Sequence, residues 1–319
     1  MTQRYPFLDL ATVNQPFMEE IRERVNGVIT SGRYVGGGEV AAFEEALFRM
    51  SDAKYAVGVS NGLDALRLIL RGYVEMGVMN PGDEVIVAAN TYVASVLAIS
   101  DAGLVPVLAE PSVETSNLDL SRLGEYLTPR TRGVMTVHLY GRVCWDGELE
   151  RFARDNNLKI IEDNAQAIGA SVVAGGLGDA AAFSFYPTKN IGAMGDAGAV
   201  TTSDAELARV VRALANYGSD RRYHNIMKGF NCRLDPVQAA VLNVKLPYTD
   251  RENQLRREVA EVYLSEISHS GVILPAAPLD PMEMVWHQFV VHVDDRDRFT
   301  RHLDENGIGW EIHYAVPPH

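Results

Sequence analysis

Lys189 follows the apolar stretch Ala180-Ala-Ala-Phe-Ser-Phe-Tyr-Pro-Thr and precedes Asn190-Ile-Gly-Ala-Met-Gly-Asp-Ala-Gly198. The apolar part reads as a strand from Ala181 to Tyr186, stopped by Pro187, which has no N–H for a sheet ladder. Gly192, Gly195 and Gly198 then make a loop whose backbone can approach another group closely. An amine between a core strand and such a loop can form an imine with a carbonyl compound. Pyridoxal phosphate in a transaminase is one reading of that placement and a solvated loop lysine is the other; this stretch alone leaves both open. The chain has five lysines against twenty-four arginines, so each lysine is weighed individually.

Lys159-Ile-Ile-Glu-Asp163 is a second informative stretch, a buried strand ending in two acids and followed by Asn164-Ala165-Gln166. A carboxylate at the end of a core strand is costly unless a cation meets it. The protonated pyridine nitrogen of pyridoxal phosphate is such a cation; a capping role or an arginine partner would also satisfy Asp163. The strand end lies 26 residues before Lys189, which puts both on one sheet edge.

The elements that must position these groups alternate along the chain. Helices are expected at 16–31, 39–50, 63–73, 93–102, 121–126, 147–156, 205–214, 235–246, 250–267 and 295–306. Strands are expected at 55–60, 84–88, 105–108, 133–139, 159–163, 181–186 and 199–202, then at 286–293 and 310–314. This predicts an α/β protein with a mainly parallel sheet flanked by helices. Residues 1–246 form the large domain and 247–319 a smaller α+β domain. Ser60-Asn61-Gly62 joins a strand to a helix, where unpaired N–H groups suit a phosphate and Ser60 can add a hydroxyl or cap the helix. Tyr92 lies at the carboxyl end of a strand, the edge where open α/β sheets bind ligands; it can stack on a ring or pack at the rim. Arg33 and Tyr34 sit in a glycine-rich loop and either contact a ligand or pack. Residues 217–230 read as a long polar loop.

Composition narrows the classes. The net charge of −13 argues against binding nucleic acid or a membrane surface through bulk electrostatics. Cys144 and Cys232 have no disulfide or metal-ligand spacing and read as free thiols in a reducing compartment. The N-terminus carries no long apolar segment and no run reaches membrane-spanning length, which points to the cytoplasm. No strand is followed by a Gly-x-Gly-x-x-Gly helix start, which counts against a nicotinamide dehydrogenase.

Taken together, the chain resembles the sugar nucleotide aminotransferases, fold-type I enzymes that use pyridoxal 5'-phosphate on nucleotide-linked keto-sugars. The matching pieces run in order: Ser60-Asn-Gly-Leu-Asp-Ala-Leu66, Ala89-Asn-Thr-Tyr92, Val137-His-Leu-Tyr-Gly141, Glu162-Asp-Asn-Ala-Gln-Ala167, the Lys189 stretch, and Gly229-Phe-Asn-Cys-Arg-Leu-Asp235. The resemblance implies that Lys189 forms the Schiff base and shuttles the proton. It implies that Asp163 holds the pyridine nitrogen protonated, Gln166 meets the ring hydroxyl and Tyr92 stacks on the ring. Asn61, Gly62 and Ser184 would hold the phosphate, with Asn231 reaching the cofactor of a neighbouring subunit in a homodimer. Arg33, Tyr34, His313 and Tyr314 are candidate substrate contacts. The other lysines are placed elsewhere: Lys54 and Lys159 at the opposite sheet edge, Lys228 in a loop, Lys245 in a charged helix.

Ala89-Asn-Thr-Tyr, Phe185-Tyr-Pro-Thr-Lys-Asn, Asn216-Tyr-Gly-Ser and Tyr223-His-Asn resemble the members that aminate C3 of a dTDP-linked 3-oxo-6-deoxyhexose, with L-glutamate as donor. Amination at C4, or a non-enzymatic cofactor-binding regulator on the same fold, are the alternatives. Ala197 stands where many members have glycine. Relatives continue beyond the position of His319, so the small domain is expected to be incomplete at its C-terminus.

Overall fold

Seven five- to seven-residue apolar runs supply the strands of one sheet, and longer amphipathic runs supply its covering helices. The computed structural model describes residues 4–170 and 176–319. In chain order come α1 (Leu10–Asn14), α2 (Met18–Ser31), α3 (Gly38–Met50), β1 (Tyr55–Val59), α4 (Gly62–Glu75), β2 (Glu84–Ala88), α5 (Val93–Asp101), β3 (Val105–Ala109) and β4 (Thr131–Val137). They are followed by α6 (Gly147–Asp155), β5 (Lys159–Asp163), β6 (Ala180–Ser184), β7 (Gly198–Thr202), α7 (Ala205–Ala215), β8 (Ser219–Arg221), β9 (His224–Asn225), α8 (Pro236–Lys245), α9 (Thr249–Glu266) and α10 (Arg296–Glu305).

The large sheet has the order β1-β7-β6-β5-β4-β2-β3. Pairings are parallel from β6 through β3, while β7 runs antiparallel to both of its neighbours. The carboxyl ends of β1, β2, β4, β5 and β6 therefore share one edge. Both faces are covered, so the inner strands are buried on both sides, as parallel sheets require, while the edge strand β3 is partly exposed. Met135, Val137 and Ile161 face α4 and α7 through Leu66, Leu70, Leu207 and Val211. On the other face Val134 and Ile160 meet Leu149 and Ala153 of α6. On that face too, Ala181 and Phe183 meet Phe43 and Leu47 of α3 and Leu242 of α8. Each fully buried Leu or Phe contributes about 1.5–3 kcal/mol to holding these layers.

Several elements differ from the sequence expectation. The helix expected at 16–31 forms as Met18–Ser31, entered through a 3-10 turn at Gln15–Phe17 that carries Pro16, and an unexpected short helix capped by Asp9 precedes it. The polar segment 217–230 contains the hairpin β8–β9. The expected strands at 286–293 and 310–314 do not form. Residues around 286–293 have a single antiparallel bridge, Ile273 with His292, and residues 310–314 lie beyond one parallel bridge between Tyr5 and Ile308. An alternating pattern makes a strand only where a neighbour completes its ladder. Among the described residues, nothing in 247–319 is an extended strand.

Candidate active site

The glycine loop after β6 is tied to the body at several points. Ala193 N donates to Phe185 O at 2.8 Å, and Phe185 N to Ala197 O at 2.8 Å. Met194 N donates to Gln238 Oε1 at 2.9 Å. A Cβ on Gly192 would stand 2.3 Å from Pro187 O, so only glycine allows this fold-back. Lys189 lies at its start, with its backbone N–H donated to Tyr186 O at 2.8 Å. Its amine makes no hydrogen bond or ion pair among the described residues. Burial pulls its pKa below the ordinary lysine value, and the nearby Asp163 carboxylate opposes that fall. An amine so placed has a larger neutral, nucleophilic fraction than a surface lysine.

Asp163 ends β5 and is 6% exposed. Ser95 Oγ donates to its Oδ2 at 2.7 Å, and Ala165 N to its Oδ1 at 3.2 Å. With its proton on Asp163, Ser95 accepts from Thr91 Oγ1, 2.9 Å away. Gln166 Oε1 accepts from Tyr140 N at 2.6 Å, and its Nε2 donates to Tyr314 Oη at 2.9 Å. The Tyr314 ring is 5.2 Å from the ring of Tyr92, which is 53% exposed. Burial pushes the Tyr314 hydroxyl well above the usual tyrosine pKa. Tyr140 Oη donates to His313 O at 2.7 Å, and His313 stacks on Phe7. Burial lowers the His313 pKa, and the Lys189 charge pushes the same way.

Across the same edge lies a backbone cradle. Asn61 caps α4 by accepting from Asp64 N at 2.8 Å, which leaves the first N–H groups of this helix without intrahelical partners. Ser184 pairs with Gly198, and Val59 pairs with Gly198 from the other side. A Cβ on Gly62 would stand 2.7 Å from Ser184 Cβ, and one on Gly198 would stand 2.3 Å from Asn61 O. Both glycines are therefore required for the Ser184 hydroxyl and the α4 N-terminus to converge, an arrangement suited to an anion.

A family model described as the DegT/DnrJ/EryC1/StrS aminotransferase family matches residues 16–319. The chain belongs to this family. A dTDP-3-amino-3,6-dideoxy-alpha-D-galactopyranose transaminase of Aneurinibacillus thermoaerophilus is 50% identical over 317 residues, covering 98% of this chain and 86% of that protein. A dTDP-3-amino-3,4,6-trideoxy-alpha-D-glucose transaminase of Streptomyces venezuelae is 44% identical over 322 residues, covering 100% and 84%. The crystal structure of S. venezuelae DesV with a ketimine intermediate superposes with a TM-score of 0.94 at 44% identity, covering 100% of this chain and 85% of that one.

Aminotransferases of this family depend on pyridoxal phosphate, and the residues present fit that group. They offer a half-buried amine unpartnered among the described residues, a carboxylate at a strand end, an exposed aromatic ring and a cradle that a Cβ would fill. The structure brings Lys189, Asp163, Gln166, Tyr92, His313, Tyr314, Asn61, Gly62 and Ser184 to one sheet edge. It does not bring Arg33 and Tyr34 there: both are exposed, Arg33 N donates to Ser31 Oγ, and the Tyr34 hydroxyl donates to Ile29 O. Asn231 is exposed. Its neighbour Cys232 accepts from Ser60 N at 3.0 Å, so the segment runs beside the cradle of its own chain.

Lys245 corrects the sequence reading. It is 4% exposed, not a surface residue of a charged helix, and its Nζ donates to Gly192 O at 2.6 Å and Asn14 Oδ1 at 2.8 Å. Burial lowers its pKa to about 8. What separates the two amines is that, among the described residues, Lys245 is bonded and Lys189 is not. Ser95, Thr91 and Tyr140 escaped the sequence reading. Ser95 had one usable signal: it lies three residues after Tyr92 at the start of α5, facing the same edge.

Proposed function

We propose that this aminotransferase transfers an amino group to C3 of a dTDP-linked 3-oxo-6-deoxyhexose, with L-glutamate as donor. The observation that carries the reading is the free Lys189 amine set opposite the Asp163 strand end on the edge that holds the Gly62–Ser184 cradle. Full-length similarity to two dTDP-3-amino sugar transaminases supports the substrate class.

When bound, the cofactor supplies an electron sink for cleavage of the donor's α-C–H bond. The chain's own residues do the rest. Lys189 Nζ accepts the α-proton and returns it, which its depressed pKa favours. Asp163, held by Ser95 and Ala165 N, would present its carboxylate to the pyridine nitrogen. The Tyr92 ring would pack against the cofactor ring, Gln166 would meet its hydroxyl, and Asn61, Gly62 and Ser184 would hold the phosphate. His313 and Tyr314 line the sugar side. Arg33, Tyr34 and Asn231 serve a partner's site if the enzyme works as a homodimer, the arrangement proposed here. Residues 247–319 are read as the small domain, joined at the start of α9. A cytoplasmic location fits the nucleotide-sugar substrate, and no helix among the described residues is long and apolar enough to cross a membrane.

The decisive experiment reconstitutes the protein with pyridoxal phosphate and follows its visible absorbance. L-Glutamate should bleach it, and a 3-keto dTDP-sugar should restore it. Recovery with a 4-keto sugar alone would move the chain to the C4 class. No cofactor absorbance, or absorbance unchanged in Lys189→Ala, would sink the assignment of Lys189.

A further inference from the structure

Asp64 puts a carboxylate at the start of the helix that carries the anion cradle, and it is 8% exposed. A helix N-terminus favours an acid there. Three bonds tie this residue to the turn before α4. Its N–H goes to Asn61 Oδ1 at 2.8 Å, and its Oδ2 accepts from Asn61 Nδ2 at 3.0 Å and from Ser60 Oγ. Ala65 N donates to Asn61 O at 3.0 Å. The N–H groups left at the helix start are then those of Gly62 and Leu63, and Gly62 lies against Ser184. The carboxylate thus orders the turn, yet its charge repels any anion held beside it.

Arg67 offsets that charge. It lies three residues further along the same face of α4, and its Nη2 donates to Asp64 Oδ1. One carboxylate oxygen therefore faces the arginine and the other faces the turn. The guanidinium is held in its turn by the segment on both sides of Asn231. It lies 4.6 Å from the centre of the Phe230 ring, and its Nη2 donates to Cys232 Sγ at 3.5 Å. Cys232 O accepts from Ser60 N at 3.0 Å, which closes the circuit back to the turn. Its Nη1 is 3.6 Å from Asp101 Oδ2 at the end of α5. A planar guanidinium can lay its face on a ring while its edge meets a carboxylate; an ammonium group has no such pair of surfaces.

We propose that Arg67 is a positioning residue for the phosphate cradle, acting through Asp64: it neutralises the carboxylate that orders Ser60 and Asn61, so the turn stays organised without repelling the phosphate. The proposal rests on the reading of the Gly62–Ser184 cradle as the phosphate site. It also gives Ser60 its role. The hydroxyl is donated to Asp64, so Ser60 shapes the turn through the carboxylate.

Two ligands separate this role from a general structural one. Pyridoxal phosphate and pyridoxal, which lacks the phosphate, are titrated against absorbance. R67M leaves Asp64 unpaired and should bind pyridoxal phosphate about tenfold more weakly, with pyridoxal unchanged. R67M/D64N removes the unpaired charge and should recover to within about threefold of wild type. Equal losses for both ligands in R67M, or a double variant that binds no tighter than R67M, overturn the proposal. If R67M does not fold, R67Q takes its place: its amide still donates to Asp64 but carries no charge, and the phosphate-specific loss should be about threefold. Inorganic phosphate gives a readout without the cofactor. It should raise the melting temperature of the wild-type protein more than that of R67M; equal rises, or none in the wild type, overturn the proposal. If the wild type takes up neither pyridoxal compound while phosphate stabilises it more than R67M, the aminotransferase reading fails and Arg67 keeps its role at an anion site.

Discussion

At the scale of single residues, one buried lysine and one half-buried lysine separate a structural role from a chemical one. Lys245 spends its amine on Gly192 O and Asn14 Oδ1 and so ties the glycine loop to α1 and α8. Its folded pKa of about 8 lies below the value of 10.5 expected of a free lysine. Between those values the unfolded chain holds more protons than the folded one, so stability rises with pH across that window. Below it, the buried charge opposes folding by about 3 kcal/mol. Denaturant melts at about pH 7 and about pH 10 should therefore show the wild type gaining stability with pH relative to Lys245→Met. A constant difference between the two proteins would mean that Lys245 titrates as a solvated lysine. Asp163 offers a second case. Ser95→Ala removes its 2.7 Å donor but leaves the carboxylate in place. The expected result is a fall in cofactor affinity of about tenfold, read from absorbance titration, against a much larger loss for Asp163→Asn.

At the scale of elements, the cradle depends on the approach of β7 to the start of α4. Gly198→Ala would drive a Cβ into Asn61 O, which belongs to the backbone and cannot swing aside. Thermal unfolding should show a loss of about 1–3 kcal/mol, together with weaker phosphate binding. Gly27 is the control: it lies inside α2 with nothing within 4 Å of an added Cβ, so Gly27→Ala should stabilise by up to about 1 kcal/mol. Equal effects at both positions would remove the steric argument.

The strands that build this edge were legible because β2, β5 and β6 are short buried runs, and such runs carry their own signal. Asp163 and Lys189 were legible for the same reason, since strand ends place them. The segment 286–293 misled because its alternation is real but no neighbouring strand completes it. Its first residue instead turns left-handed, and its carbonyls are taken by Arg256. Lys245 was illegible in its role: it is defined by partners far away in sequence, at Gly192 and Asn14, and no local pattern encodes such contacts. Arg33 and Tyr34 look functional by type, yet among the described residues they bond to their own loop and helix end.

At the scale of the whole molecule, Asn231 poses the remaining question of assembly. It is exposed, and Cys232 beside it accepts from Ser60 N of the same chain, so proximity alone would let it serve its own cradle. The homodimer reading gives it to the partner's site instead. Asn231→Asp puts a negative charge where a phosphate is to be held, and should be nearly inactive under either arrangement. Lys189→Ala is inactive in its own site only. Unfolding and refolding the two variants together at equal amounts should make about half of the dimers mixed. In a mixed dimer, the subunit that keeps Lys189 receives Asn231 from its partner, so one of its two sites is whole. Activity should then return to about a quarter of wild type per site, from two proteins that are inactive apart. If Asn231 serves its own chain, the subunit that keeps Lys189 also keeps the aspartate, and mixing restores nothing. Size-exclusion chromatography of the mixture shows that dimers have formed, so an absence of recovery in dimeric protein would place Asn231 in its own subunit's site.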